Sequence, residues 1–236
     1  MIDWHCHILP QMDDGSSDVA ESISLLQMQA EQGVRTVVAT PHFYANDESV
    51  ESFLARREEA YGNLKEALTK ELPEVILGTE VHYYRGISRM LNLKDLCIQN
   101  SKILLLEMPM GRWSEDMILE LIEMSSMSGF RLVLAHIDRY WSLQKAKVWK
   151  RLYECGILMQ VNASIFGAFS TKRKAISLLR DGGIHFIGTD CHNTTTRKPD
   201  IKVAFDLIVK KMGNDYLFQM NEFGYSMFGK KTVTIY

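Results

Sequence analysis

An α/β barrel is the fold this sequence predicts, and three observations predict it. Apolar, β-branched runs alternate with helical stretches about seven times along 236 residues, as parallel strands joined by helical crossovers do. The runs lack clean period-2 polarity, which is expected of strands covered on both faces. No glycine-rich phosphate fingerprint follows the first run, so a dinucleotide-binding sheet gives way to a closed or nearly closed barrel. The length suits one such domain, 1–236.

The first run opens the chain: Ile2, Trp4 and Cys6 alternate with Asp3, His5 and His7, so His5 and His7 share one face of a strand. Asp18-x-x-Glu21 is a capping-box-like helix start, with Val19, Ile23, Leu26 and Ala30 at helical spacing and Gly33 as a C′ residue. Val34 to Thr40 is a buried strand ending at Pro41-His42, and Ser49 to Leu72 reads as a helix. Glu74 to Glu80 is the third strand and Lys102 to Glu107 the fourth, each closed by a carboxylate. Glu115 to Ser128 is a helix stopped by Gly129, and Arg131 to His136 the fifth strand. Ser142 to Cys155 is helical, Ile157 to Asn162 the sixth strand, Thr171 to Arg180 a helix, and His185 to Asp190 the seventh strand. Pro199 fits the first turn of a last helix through Lys211.

Composition excludes several function classes. A net charge of −2 gives no general attraction to nucleic acid or anionic membrane. The first strand starts at Ile2, leaving no room for a secretory signal, and no apolar run approaches the roughly 18 residues of a membrane span. Cys6, Cys97, Cys155 and Cys191 form no C-x-x-C pair and read as reduced thiols of a cytoplasmic protein.

The chemistry collects at the C-terminal strand ends, where His5, His7, His42, Glu80, Glu107, His136, Asp190 and His192 fall. In α/β barrels that rim is where active sites are built. His82 lies just past a strand end and His185 at a strand start, so both fall outside this set. Any one of the eight could be a satisfied loop residue. Clustered together they would be costly to bury unpaired, and a metal centre explains them better. Imidazole plus carboxylate without thiolate suits manganese, iron or zinc, and so many donors imply two or three ions. Such a cluster activates water and clamps phosphoryl oxygens. Arg139 and Arg197 stand in the loops just past the rim, and guanidinium forks match phosphate oxygens.

These residues resemble a known superfamily. His5-x-His7 with Asp13-Asp14-Gly15, Thr40-Pro41-His42, Gly78-x-Glu80, Glu107, His136-x-x-Arg139-Tyr140 and Gly188-Thr-Asp190-x-His192-Asn193 are similar to the polymerase-and-histidinol-phosphatase (PHP) superfamily. Within it they most resemble the bacterial manganese-dependent tyrosine-protein phosphatases of capsular and exopolysaccharide operons. The resemblance runs from Met1 to about Arg197. It implies a distorted seven-stranded (β/α) TIM-like barrel holding three metal ions. The implied ligands are His5, His7, Asp14, His42, Glu80, Glu107, His136, Asp190 and His192, with Arg139 and Arg197 on the phosphate and Asp14 beside them. Asp14 comes from the resemblance and not from spacing. The implied partner is a membrane tyrosine autokinase whose Tyr-rich tail is dephosphorylated to regulate polysaccharide export; oligomeric state is left open. The loops Ala45–Ser52 and Met108–Trp113 carry no family pattern and are where substrate would be selected.

Two rival readings share the sequence. Histidinol-phosphate phosphatase, or another small-molecule phosphatase of the superfamily, has the same metal pattern. Cys191 and Arg197 also fit C-x5-R, the spacing of thiolate-dependent tyrosine phosphatases. Asp190 would raise the pKa of that thiol and the loop lacks glycine, so a packing role for Cys191 is expected.

Overall fold

The computed structural model describes residues 1–229, so 230–236 of the expected domain lie outside the described residues. The order is β1 (Ile2–Cys6), α1 (Val19–Glu31), β2 (Thr36–Ala39), β3 (His42–Phe43), α2 (Val50–Lys65), β4 (Glu74–Leu77), β5 (Glu80–His82) and β6 (Ile103–Glu107). Then come α3 (Glu115–Ser125), β7 (Arg131–Leu134), α4 (Ala146–Glu154), β8 (Leu158–Asn162), α5 (Lys172–Arg180), β9 (Phe186–Gly188), α6 (Lys202–Met212) and α7 (Asn214–Met227). Side-chain caps mark the starts where Ser, Asp or Ser was available: Asp18 accepts from Glu21 N–H, Ser49 from Ser52 N–H and Ser114 from Met117 N–H.

Every strand pair is parallel, in two sheets ordered β1-β2-β4 and β3-β5-β6-β7-β8-β9. Seven strands were expected, and nine segments are found among the described residues. The surplus has a local cause. β2 runs into β3 across Thr40-Pro41, where proline has no N–H for the ladder, and β4 runs into β5 across Gly78-Thr79. The register survives both breaks, since Ala39 faces Leu77 and His42 faces Glu80. The sheet curls until β1 lies beside β9, where Asp190 N–H donates to His5 O at 2.7 Å and His7 N–H to Cys191 O at 2.9 Å.

Two apolar layers follow from the curl. One cluster, containing Trp4, Val38, Ile76, Leu105, Val133 and Phe186, takes alternate residues of successive strands and fills the inside. The larger cluster lies between the strands and the surrounding helices. β1 departs from the expected alternation. Asp3 faces Val37 and Cys6 faces Ala39, so β1 carries one more residue than β2 between these points. This bulge turns consecutive residues, Trp4 and His5, to the same side. Trp4 joins the inner apolar cluster, and His5 meets His7, Glu80 and Gln160.

Helix boundaries also differ from the sequence reading, and α3 stops at Ser125 rather than Ser128. α2 stops at Lys65 and the chain turns through bonds such as Ala67 N–H to Leu64 O, although Leu68 and Leu72 still pack on the core. α4 starts at Ala146, because Ile137–Tyr140 forms a 3₁₀ turn ahead of it. α6 starts at Lys202, after Pro199 rather than around it. α7 was not expected. Its Gly224 rests so close to β1 that a Cβ there would stand 2.9 Å from Ile2 Cδ1 and 3.1 Å from Trp4 Cζ2. Phe228, just after it, stacks on Trp4 with centroids 4.9 Å apart. No helix among the described residues is long and apolar enough to cross a membrane.

Candidate metal centre

All nine expected donors arrive at one end of the curled sheet. β1 delivers His5 and, one residue past its end, His7. His42 opens β3 and Glu80 opens β5, just beyond the breaks that follow the apolar β2 and β4, and Glu107 closes β6. The remaining two strands use unusual backbone to aim their donors. His136 after β7 has φ 29° and Asp190 after β9 has φ 54°, a region costing on the order of 1–3 kcal/mol for a side-chain-bearing residue. His136 N–H donates to Gln160 Oε1 at 2.6 Å, which holds the peptide there. Gly188 makes room, since a Cβ on it would lie 2.5 Å from His5 Cβ. Gly15 does the same for the Asp13-Asp14 loop, which lies against the His7 carbonyl at 2.3 Å from an added Cβ.

The nitrogens converge on one carboxylate. His5 Nε2, His42 Nδ1 and His7 Nε2 stand 3.0, 3.1 and 3.3 Å from Glu80 Oε2. His136 Nε2 lies 2.8 Å from Glu80 Oε1 and 3.4 Å from Glu107 Oε1. Hydrogen bonds on the far side of the rings assign their tautomers. His7 Nδ1–H donates to Asp13 Oδ2 at 2.7 Å, His5 Nδ1–H to Gln160 Oε1 at 3.2 Å and His192 Nδ1–H to the Asp190 carbonyl at 2.9 Å. Each Nε2 then turns a lone pair inward, and those of His5 and His7 face each other at 3.2 Å. Two lone pairs at that distance need a proton or a cation between them. Glu80 Oε2, His42 Nδ1 and His192 Nε2 are buried without a hydrogen-bond partner despite these short approaches. Buried polar atoms are rarely left so, and a divalent cation fits this set of imidazole nitrogens and carboxylate oxygens.

Three overlapping groups place their ligand atoms within 4.8 Å of one another: His7, Asp14, His42 and His192; His5, His7 and Asp190; His42, Glu80 and Glu107. Shared members make them one centre with several positions. Asp14 is its outermost donor, 64 % exposed, with Oδ1 3.3 Å from His192 Nε2 and 3.6 Å from His42 Nε2. Arg139 bonds Asp190 and approaches Glu107 to 3.7 Å. Arg197 reaches Asp190 at 3.1 Å and Asp14 at 3.5 Å from the other side.

The ionisable groups of the centre are shifted by burial and by one another. Burial opposes ionisation of Glu80, yet His5 and its other imidazole neighbours hold its carboxyl well below the usual range. Burial likewise opposes a charge on His136, but Glu107 and Glu80 push it up to about 9. His7 is raised despite burial by the Asp13 carboxylate, whereas burial lowers His42 and takes His192 to about 4. Protons on some rings thus balance the carboxylates.

Sequence reasoning missed several neighbours. His82 was set aside, yet its Nδ1 lies 3.0 Å from Glu107 Oε2. Asp13 accepts from both His7 Nδ1 and His42 N–H through one oxygen. Gln160 holds His5 and His136, and Asn162 donates to Asp190 Oδ2 at 3.0 Å. A signal existed for these two, polar residues two apart in an otherwise apolar strand. Cys191 takes the packing role expected of it: it is buried, accepts from Gln29 Nε2 at 3.7 Å and pairs with Cys6 along the strand edge.

Comparison with known proteins follows the same line. The family described as capsular polysaccharide synthesis, CpsB/CapC, matches residues 1–222. The chain is 32% identical over 232 residues to tyrosine-protein phosphatase YwqE of Bacillus subtilis (strain 168), covering 94% of this chain and 89% of that one. It is 32% identical over 233 residues to tyrosine-protein phosphatase CpsB of Streptococcus pneumoniae, covering 90% and 91%. A chain from the crystal structures of these two proteins, described as unique metal-dependent tyrosine phosphatases, superposes with TM-score 0.83 at 26% identity over 99% of this chain and 96% of that one.

Proposed function

The chain belongs to the CpsB/CapC family of capsular polysaccharide synthesis, and from that premise we propose that it is a metal-dependent protein-tyrosine phosphatase. The observation that supports this most directly is the convergence of three imidazole nitrogens on Glu80 Oε2 between two arginines. His5, His7, Asp14, His42, Glu80, Glu107, His136, Asp190 and His192 would hold two or three divalent ions, manganese first and iron or zinc as alternatives. The carboxylates of Asp14, Glu80, Glu107 and Asp190 contribute four negative charges, so three ions would leave two positive charges for an anionic substrate. Counting β2 with β3 and β4 with β5 as single interrupted strands, we read the fold as a distorted seven-stranded barrel of the PHP type, one domain.

Divalent ions in such a site lower the pKa of bound water and draw charge from phosphoryl oxygens. The chain's own groups supply the rest. Arg139 and Arg197, about a third exposed and anchored through Asp190, present N–H donors to a phosphoryl group from two sides. Asp14, open to solvent, stands at the mouth of the site beside His192. A tyrosyl leaving group needs little protonation, its phenol pKa being about 10. The substrate would be a phosphotyrosine protein, foremost the tail of a membrane tyrosine autokinase that governs capsule or exopolysaccharide synthesis, met in the cytoplasm.

The test is hydrolysis of a phosphotyrosyl peptide and of histidinol phosphate by the purified chain, before and after chelation and with manganese restored. Loss on chelation and recovery with manganese, with the peptide preferred, is the expected result. Preference for histidinol phosphate would move the function to small phosphomonoesters. Activity that survives chelation and disappears in Cys191→Ser would overturn the metal reading.

A further inference from the structure

We propose that Tyr44, backed by His82, is the platform on which the aryl ring of the substrate rests, so that this chain selects aryl over alkyl phosphomonoesters. The proposal rests on the phosphatase reading above and adds to it a recognition residue that the metal pattern does not contain.

The strand register places Tyr44. His42 faces Glu80, Phe43 faces Val81 and His82 faces Glu107, so the next step along the same face sets Tyr44 beside His82. Side chains alternate across a strand, and here they do: His42 points to the centre, Phe43 is buried against Phe53 with centroids 5.2 Å apart, and Tyr44 returns to the side of His42. Two residues along a strand advance about 6.6 Å. Tyr44 and His82 therefore form a layer one repeat outward from the donors His42 and Glu80, toward solvent. The Tyr44 ring lies 5.5 Å from that of His42 and 5.2 Å from that of His82. His82 is fixed from behind by Glu107 at 3.0 Å. Turns that bond Asp47 N–H and Glu48 N–H to the Tyr44 carbonyl, at 3.0 and 3.4 Å, set the backbone.

Tyr44 remains 38 % exposed and lines a cavity of about 380 Å³ together with Asp14, His42, Asp47 and Arg56. An aromatic group held open over a cluster of ionic donors has no core to fill. It offers the only phenol ring among the residues lining this cavity, His42 being a candidate donor, and the one group of an aryl phosphate that the donors and arginines leave unrecognised is its ring. A ring esterified to a phosphoryl group among the donors projects outward by about one strand repeat, to the height of Tyr44. An alkyl phosphate gains little from that face, because stacking needs a π-system.

The test uses non-hydrolysable probes on the full-length, manganese-loaded chain. Calorimetry gives Kd for phenylphosphonate and methylphosphonate in wild type, Tyr44→Ala and Tyr44→Phe, and steady-state kinetics give kcat and KM for phenyl phosphate and glycerol 2-phosphate. The expected result is that Tyr44→Ala weakens phenylphosphonate about three- to tenfold and raises KM for phenyl phosphate alike. Methylphosphonate and glycerol 2-phosphate should shift less than twofold, and Tyr44→Phe should keep the wild-type ratios. Equal losses for both phosphonates, or a phenyl-to-methyl ratio unchanged in Tyr44→Ala, overturns the platform while leaving the phosphatase reading intact. A wild-type chain that binds neither phosphonate and hydrolyses neither ester overturns both.

Discussion

The inside of the curled sheet has two halves built from the same strands. In the lower half, Trp4, Val38, Ile76, Leu105, Val133 and Phe186 form an apolar plug, closed from below by Phe228 and Gly224. A few residues further along the same strands stand His5, His42, Glu80, Glu107, His136 and Asp190. The lower half is satisfied as it stands. The upper half contains facing lone pairs, unpartnered buried atoms and two residues in left-handed backbone. Stability and chemistry are thereby divided along each strand, and burial that stabilises one half of the sheet is a cost in the other.

Variants should separate the halves. The largest effect is expected from Glu80→Gln, which withdraws the oxygen shared by three imidazoles. It should lower kcat/KM for aryl phosphates by about a thousandfold or more, the scale of several kcal/mol of charge stabilisation, while the protein still folds. Retained activity in this variant would break the division. Trp4→Ala should do the reverse. A large buried aromatic replaced by alanine costs about 3–5 kcal/mol of stability, read by denaturant unfolding, with manganese stoichiometry unchanged in the folded protein. A smaller effect belongs to Asp13→Asn. Both Asp13 oxygens accept, one from His7 Nδ1 and His42 N–H and the other from Gly15 N–H, so the amide nitrogen of asparagine would face a donor in either orientation. Loss of such an orienting partner typically costs 10–100-fold in metal affinity, with little change in unfolding.

The smallest effect is a proton count. His7 and His136 are both raised by neighbouring carboxylates, His136 to about 9, so His136 holds a proton at pH 7. A cation must displace it, and metal uptake at pH 7 should release about one proton per chain, measured by calorimetry in buffers of different ionisation enthalpy. Affinity should accordingly rise with pH. The sign for folding is opposite. A histidine raised on folding stabilises fully below its unfolded pKa near 6.5, and that contribution fades as pH climbs through about 9. Metal-free protein should melt at lower temperature at pH 9 than at pH 7.

The two halves were unequally legible. Donors that terminate apolar runs could be read directly, because a histidine or carboxylate after Val, Ile and Leu stands out, and Arg139 and Arg197 follow them in the loops. The β1 bulge could not, since strict alternation sets Trp4 opposite His5, and only the pairing with β2 shows both on one side. Tyr44 and His82 were missed because their placement depends on the register between β3 and β5, a long-range property. The Thr40-Pro41 and Gly78-Thr79 breaks lie in local chemistry that was visible, yet their effect on the strand count depends on the neighbouring ladder. In the lower half α7 went unnoticed, although Leu217, Met220, Gly224 and Met227 recur at helical spacing. Its role depends on Gly224 admitting Trp4, a contact between the two ends of the chain.

The most direct test of the upper half is the manganese content of the full chain after equilibration with the ion and removal of excess, measured by elemental analysis alongside Glu80→Gln. Two to three ions per wild-type chain, and at least one fewer in the variant, is the predicted result. A wild-type chain that retains no ion, or a variant that retains as many as wild type, would contradict the reading of the rim as a metal centre organised around Glu80.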